Sequence, residues 1–372
     1  MNERFENINL LRAFAATAVV VYHVIELVHW KAFPYTGPLL TFRIGWIGVD
    51  LFFVISGFVI TRSAIALWQR DAVTFGRNYW ARRVSRIVPL YVLTGALWIA
   101  FFLPDFFGQR LGRIAFQLGS HLTFTHSFWP ATFDTIDGVN WTLGLEMQFY
   151  LAVALLVPWI ARTPGWRIWL GCVLIAWAWR AAMFNFFGHL PPERMFMRIM
   201  QLPGVLDEFG AGIFLARWMD RRSGPRPADG PVWLLAAIAT GMLCFGVYWQ
   251  NTTYWSQPAM VIFWRTSLAA FFLCVVASSV FVPQVAQTWP LRPVWYLGVV
   301  SYGIYLWHLF AIRVCLMIPE VTPLQALGLT LGMTVLLAAM SWHFFEKPML
   351  EFGRRFHGRS APPRQPTAAG ES

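Results

Sequence analysis

Apolar residues in this chain run in long blocks instead of alternating or recurring at one helix face. Ten blocks stand out, at about 8–29, 44–67, 87–103, 141–160, 168–187, 203–216, 231–249, 257–282, 294–317 and 322–345. Most approach the roughly 20 residues that a helix needs to cross a bilayer. Ile87–Leu103, Pro231–Trp249 and Thr322–Phe345 hold no Asp, Glu, Lys or Arg. The block 203–216 is the weakest, being short and carrying Asp207 and Glu208, and a re-entrant course stays open for it. The pattern predicts an all-α polytopic membrane protein, a bundle of about 10 transmembrane helices.

Composition agrees with that pattern. Of 372 residues, 57% are hydrophobic and 13% charged, about half the charged share of a soluble domain. One soluble core cannot hide so much apolar surface. The first block includes the small residues Ala13–Ala18, as a signal-peptide cleavage site would. It runs on to Val28, however, and carries Arg12, His23 and Glu26, so it is read as an uncleaved span. Cys172, Cys244, Cys274 and Cys315 all fall in apolar runs without metal-type spacing and are read as buried thiols.

The net charge is +11. Its basic residues sit in short clusters between apolar runs, which fits orientation in a bilayer and no nucleic-acid partner. With the N-terminus placed inside, 19 of the 29 Lys and Arg fall on inner segments and six on outer ones. Both termini are therefore expected in the cytoplasm. The segment 104–140 becomes the longest external loop, and 351–372 a disordered cytoplasmic tail.

An ionised group at mid-bilayer costs about 2.5–3.5 kcal/mol on insertion scales, so the polar residues inside the spans call for a reason. Arg12 and His23 stand 11 positions apart. At about 100° per residue they share one helix face, about 16 Å apart along the axis. Glu26 follows His23 at i+3, also a facing position. Counted from the span ends, His23, Asp50 and Glu146 each lie about 9 Å beneath the outer surface, with His308 slightly deeper. Two histidines and two carboxylates at one level suggest a general base with groups to orient it. Asp50 or Glu146 paired with Arg180 or Arg265 is the structural alternative. On the inner side, Arg77, Arg82, Arg83 and Arg86 sit between spans two and three. They are either a plain positive-inside cluster or, with Arg12, a clamp for phosphate oxygens. A phosphorylated donor docked inside would need a long thin arm to reach His23. Coenzyme A has that shape, which suggests an acyl-CoA, acetyl-CoA in the simplest case.

Seven strings along the chain resemble the acyltransferase-3 family of integral membrane acyltransferases. They are NINLLRAFAATAVVVYHV with Arg12 and His23; GWIGVDLFFVISGFVI; RRVSRIVPLY with Arg83 and Arg86; WTLGLEMQFY with Trp141, Glu146 and Thr142 in place of the family's serine; LDEFGAGIFLA; LGVVSYGIYLWH with Tyr302 and His308; and FFEKP. The resemblance spans residues 1–350. It implies O-acyl transfer from acyl-CoA to a hydroxyl of an extracytoplasmic or lipid-linked saccharide, or of a small molecule such as a macrolide, in a bacterial inner membrane. By the same resemblance His23 is the catalytic residue, and Arg12, Arg83 and Arg86 handle the donor. Glu26, Asp50 and Glu146 are the candidates to set the His23 tautomer, Arg82 joins the donor set, and Trp141, Tyr302 and His308 are placed at the acceptor. No metal is expected. Membrane lipids and polysaccharide-synthesis machinery are the expected associates.

Two other classes remain open on the residues alone. Buried Arg, His, Asp and Glu also line transport pathways, so a transporter or flippase of an envelope glycan precursor is the main competitor, although no paired repeat is visible. A non-catalytic partner of a polysaccharide synthase is the other.

Overall fold

The helices follow the blocks. The computed structural model describes residues 5–355 apart from 36–38, 222–228 and 252–253. Its helices in chain order are α1 (Asn7–Leu27), α2 (Leu40–Arg43), α3 (Ile47–Arg70), α4 (Phe75–Phe102), α5 (Leu111–Leu122), α6 (Trp141–Arg162), α7 (Gly165–Phe187), α8 (Pro192–Ile199), α9 (Leu202–Asp220), α10 (Asp229–Gln250), α11 (Arg265–Phe281), α12 (Arg292–Val299), α13 (Ser301–Cys315), α14 (Pro323–Ser341) and α15 (Lys347–Arg355). Strands are absent among the described residues. Eight helical stretches there are long and apolar enough to cross a membrane, and ten if the bent pairs α8/α9 and α12/α13 each count as one span.

Local sequence explains several helix starts. Proline stands in the first turn of α8, α9, α12 and α14, where its missing N–H leaves nothing unpaired. At α14 a capping box adds to this, with Thr322 and Gln325 bonding reciprocally.

The centre of the bundle is α1, α3, α9, α11 and α13, while α7 and α10 keep most of their length on the outside. Exposed Leu234, Leu235, Met242 and Leu243 on α10 suit a lipid-facing wall. Small residues let the central helices approach closely. Gly57 of α3 lies against the Phe209 carbonyl of α9, and Gly212 of α9 against the Val54 carbonyl of α3, so a Cβ at either would collide with backbone. Asn7 ties the first turn of α1 down. Its amide donates to the Ser279 and Pro283 carbonyls, and its Oδ1 accepts from the Val285 and Ala286 N–H groups.

Two expectations change. The arginine cluster is not on a loop, because α4 begins at Phe75 and carries Arg77, Arg82, Arg83 and Arg86 on its first turns. The block 203–216 keeps both readings, a broken span or a re-entrant loop. It belongs to the 19-residue helix α9, which meets α8 at a 57° bend. Helix also continues through Arg355, past the expected start of the tail, and residues 356–372 lie outside the described residues.

Candidate functional site

Two cavities lie within the bundle and share part of their lining. The first is a narrow slot of about 90 Å³ lined by Arg12 from α1, Ser56 from α3, Arg83 and Arg86 from α4, Thr142 and Glu146 from α6, and Tyr302 and Tyr305 from α13. The second is a chamber of about 810 Å³ that holds His23, Asp50, Trp141 and Arg265 on its wall. Val49 and Tyr305 line both. The Tyr305 hydroxyl is fixed there, accepting from Thr142 Oγ1 at 2.9 Å and donating to the Val139 carbonyl at 3.2 Å.

Helix α1 therefore presents a guanidinium to one cavity and an imidazole to the other. Arg12 donates to Asn9 Oδ1 at 3.2 Å. Arg83 is buried, its guanidinium 5.5 Å from the ring centres of both Tyr79 and Tyr150. The spacing of Arg83 and Arg86, three residues apart on a helix, turns both toward the slot. Arg82 points elsewhere, is exposed and does not line the slot.

His23 is half-buried, and its ring packs edge-on to Tyr22. Its Nδ1 lies 3.0 Å from the Val19 carbonyl and 3.2 Å from Nε2 of His308. None of the three carboxylates expected to orient His23 does so. Glu26 is exposed at the end of α1. Asp50 is buried in an ion pair with Arg265, the structural alternative for that residue. Glu146 lies with the arginines in the slot, accepting from Ser56 Oγ at 2.9 Å and from the Tyr150 hydroxyl. It therefore shares a cavity with Arg12 and not with His23. Trp141, the first residue of α6, is 8% exposed, covered by a loop whose Thr132, Asp137 and Asn140 are buried too.

The chamber is mainly aromatic. Trp141 stacks on Phe133 with ring centres 5.6 Å apart and meets Phe196 edge-on at 5.1 Å. Trp46 and Tyr254 line the chamber too, with ring centres 6.2 Å apart. Aromatic faces with a few polar groups between them are the usual lining of an organic-ligand site. Asp134 and Glu193, both exposed, add carboxylates to that lining. Tyr302 is not at the chamber. It lines the slot and donates to the Ile87 carbonyl at 2.7 Å. His308 lines neither cavity and is fully buried behind His23.

Part of the chamber wall belongs to a charge cluster. Arg180 of α7 donates to Asp207 at 2.7 Å and to the Gly204 and Ile262 carbonyls. Arg265 of α11 pairs with Asp50 and stands 3.6 Å from Glu208. Sequence reasoning named both arginines as possible partners but not this network. Tyr305 and Val49 were missed altogether; the only signal for Tyr305 was its place between Tyr302 and His308 in LGVVSYGIYLWH. Among the described residues, no group of three or more His, Cys, Asp or Glu is placed to hold a metal.

Comparison with known proteins gives a consistent answer. A family model described as an acyltransferase domain matches residues 5–342. A putative peptidoglycan O-acetyltransferase, YrhL of Bacillus subtilis, is 26% identical over 94% of this chain and 55% of its own. The peptidoglycan O-acetyltransferase OatA of Listeria monocytogenes is 23% identical over 93% of this chain and 56% of its own. The exopolysaccharide production protein ExoZ of Rhizobium meliloti is 30% identical over 84% of this chain and 92% of its own. The chain thus spans a little over half the length of the first two. No solved structure matches it significantly.

Proposed function

Because the chain belongs to the acyltransferase-3 family, we propose that it moves an acyl group, acetyl in the simplest case, from acyl-CoA to a hydroxyl of a saccharide or lipid-linked glycan. The site is in a bacterial inner membrane. One observation carries this reading: Arg12 and His23, on a single helix, line two neighbouring cavities that share Val49 and Tyr305.

The donor enters by the slot. Arg12, Arg83 and Arg86 offer forked donors to its phosphates, and the narrow passage takes its extended arm. Glu146 stands among these arginines and limits how much uncompensated positive charge the slot carries. The thioester carbonyl comes to rest near Val49 and Tyr305. The acceptor lies in the chamber, with sugar faces against Trp141 and neighbouring rings. His23 takes the proton of the acceptor hydroxyl as its oxygen attacks the thioester carbon. The C–S bond breaks, and the departing thiolate receives that proton from His23. An ester and free CoA thiol result, and the ring returns to its starting state.

The test is acetyl transfer by His23→Gln, purified in detergent and shown by size-exclusion chromatography to be folded, with radiolabelled acetyl-CoA and a glycan-lipid extract of the host envelope. A loss of at least about 10²-fold is expected. Full transfer by the folded variant would overturn the assignment.

A further inference from the structure

Three contacts fix where the protons of the two histidines sit. Nδ1 of His308 lies 2.6 Å from the Tyr305 carbonyl. A carbonyl oxygen only accepts, so this nitrogen carries a hydrogen and, in the neutral ring, Nε2 keeps a lone pair. That lone pair faces Nδ1 of His23 at 3.2 Å, and the Val19 carbonyl faces the same atom at 3.0 Å. Two acceptors converge on one nitrogen, which must be the donor. Its partner, Nε2 of His23, is then left as a lone pair. The opposite tautomers would set lone pair against lone pair at both carbonyls. One assignment satisfies all three contacts and the other breaks two.

We propose that His308 is a positioning residue that holds the proton on Nδ1 of His23 and so presents Nε2 as the base to the chamber. This rests on the reading of His23 as the base. In many hydrolytic sites a carboxylate orients the histidine. Here that role falls to a neutral imidazole, itself aligned by a main-chain carbonyl, in a chain running from the Tyr305 carbonyl through His308 to His23. The choice has a physical reason. A buried carboxylate touching His23 would favour its imidazolium, which cannot accept a proton, and would bring another charge into the membrane. A neutral acceptor orients the ring while leaving it unprotonated. When His23 takes the acceptor proton, its Nδ1–H strengthens its bond to His308 Nε2, and the new charge is shared along the chain.

The arrangement is testable without activity. With ¹⁵N-histidine-labelled protein in lipid nanodiscs, ¹⁵N shifts distinguish protonated from bare ring nitrogens, and His23→Gln and His308→Gln assign the two residues. Both rings should carry the proton on Nδ1, with Nε2 bare; a proton on Nε2 of His23 overturns the proposal whatever the activity. In acetyl transfer, His308→Gln keeps an acceptor oxygen in reach of His23 and should stay within about 3-fold of wild type, whereas His308→Leu should lose about 10–100-fold in kcat with an unchanged KM for acetyl-CoA. Equal activity of the Leu variant, or equal loss in both, also overturns it. If the Leu variant does not fold, the wild-type shifts and the Gln variant still decide. Expected tautomers together with full transfer by His23→Gln would instead remove the base itself, and the positioning role with it.

Discussion

At the scale of single residues, the loop over the chamber holds the sharpest physical contradiction. Asp137 is 1% exposed, sits at φ 52°, and neither carboxylate oxygen has a hydrogen-bond partner. Burial therefore pushes its carboxyl well above the usual range. An acid raised in this way makes its full contribution to stability below its unfolded value of about 4, and that contribution is lost as pH rises through the raised folded value. His126 works in the opposite sense. It is fully buried and stacks on His121 with ring centres 4.3 Å apart. Burial, with His121 adding to it, pushes it down to about 4. Its contribution is present above about pH 6.5 and is lost as pH falls toward 4. Asp137→Asn tolerates the same backbone and removes only the raised acid. The melting temperature of the variant should exceed that of wild type by about 2–4 °C at pH 8 and by nothing measurable at pH 4. An equal gain at both values would refute the ionisation argument. In the sequence, both histidines and this aspartate are merely polar residues of an external loop. Their burial depends on how the loop folds back over α6, and no spacing within the chain encodes that.

Between elements, the instructive case is α9. Asp207 and Glu208 made its apolar block the weakest of the ten, because sequence shows the charges and hides their partners. The partners come from elsewhere: Arg180 on α7 and Arg265 on α11, with Thr266 also donating to Asp207. Helices that each carry an unfavourable charge become compatible only together, and this fixes their pairing. Removing one member of a buried pair strands the other, at about 3–5 kcal/mol. Arg180→Met should therefore lower thermal stability sharply in a detergent melting assay. Arg180→Met with Asp207→Leu should recover at least half of the loss, since it removes the stranded charge as well. No recovery would show that the Arg180 bonds to the Gly204 and Ile262 carbonyls matter more than the ion pair. The same limit on reading applies to α12 and α13. One apolar block, 294–317, becomes two helices bent by 76°, with Gly298 pressed against the Asn9 carbonyl of α1; only the neighbouring helix reveals the need for the bend.

For the whole molecule, the apolar blocks carried the helices, and the 11-residue spacing of Arg12 and His23 carried the placement of two groups on one stripe. Depth along the other helices was less legible, because counting inward from a span end assumes that every helix starts at the surface. Glu146 lines the slot and not the chamber with His23, and so the slot holds a carboxylate where only arginines were expected. The two neighbouring cavities still leave a directional consequence. The slot is lined by Arg12, near the start of α1, and the chamber by His23, near its end. Donor and acceptor chemistry should therefore appear on opposite faces of a membrane. In sealed proteoliposomes sorted by the accessibility of an N-terminal tag, acetyl-CoA supplied on the tagged face should release CoA thiol to that face, detected with a membrane-impermeant thiol reagent. The acetylated glycan should collect on the other face. Arg83→Gln should raise the KM for acetyl-CoA at least about 10-fold on the tagged side and leave the saturating rate nearly unchanged, because it holds the donor away from the bond that breaks. Thiol and acetylated product on the same face would mean that the cavities do not work in series, whichever residue serves as the base.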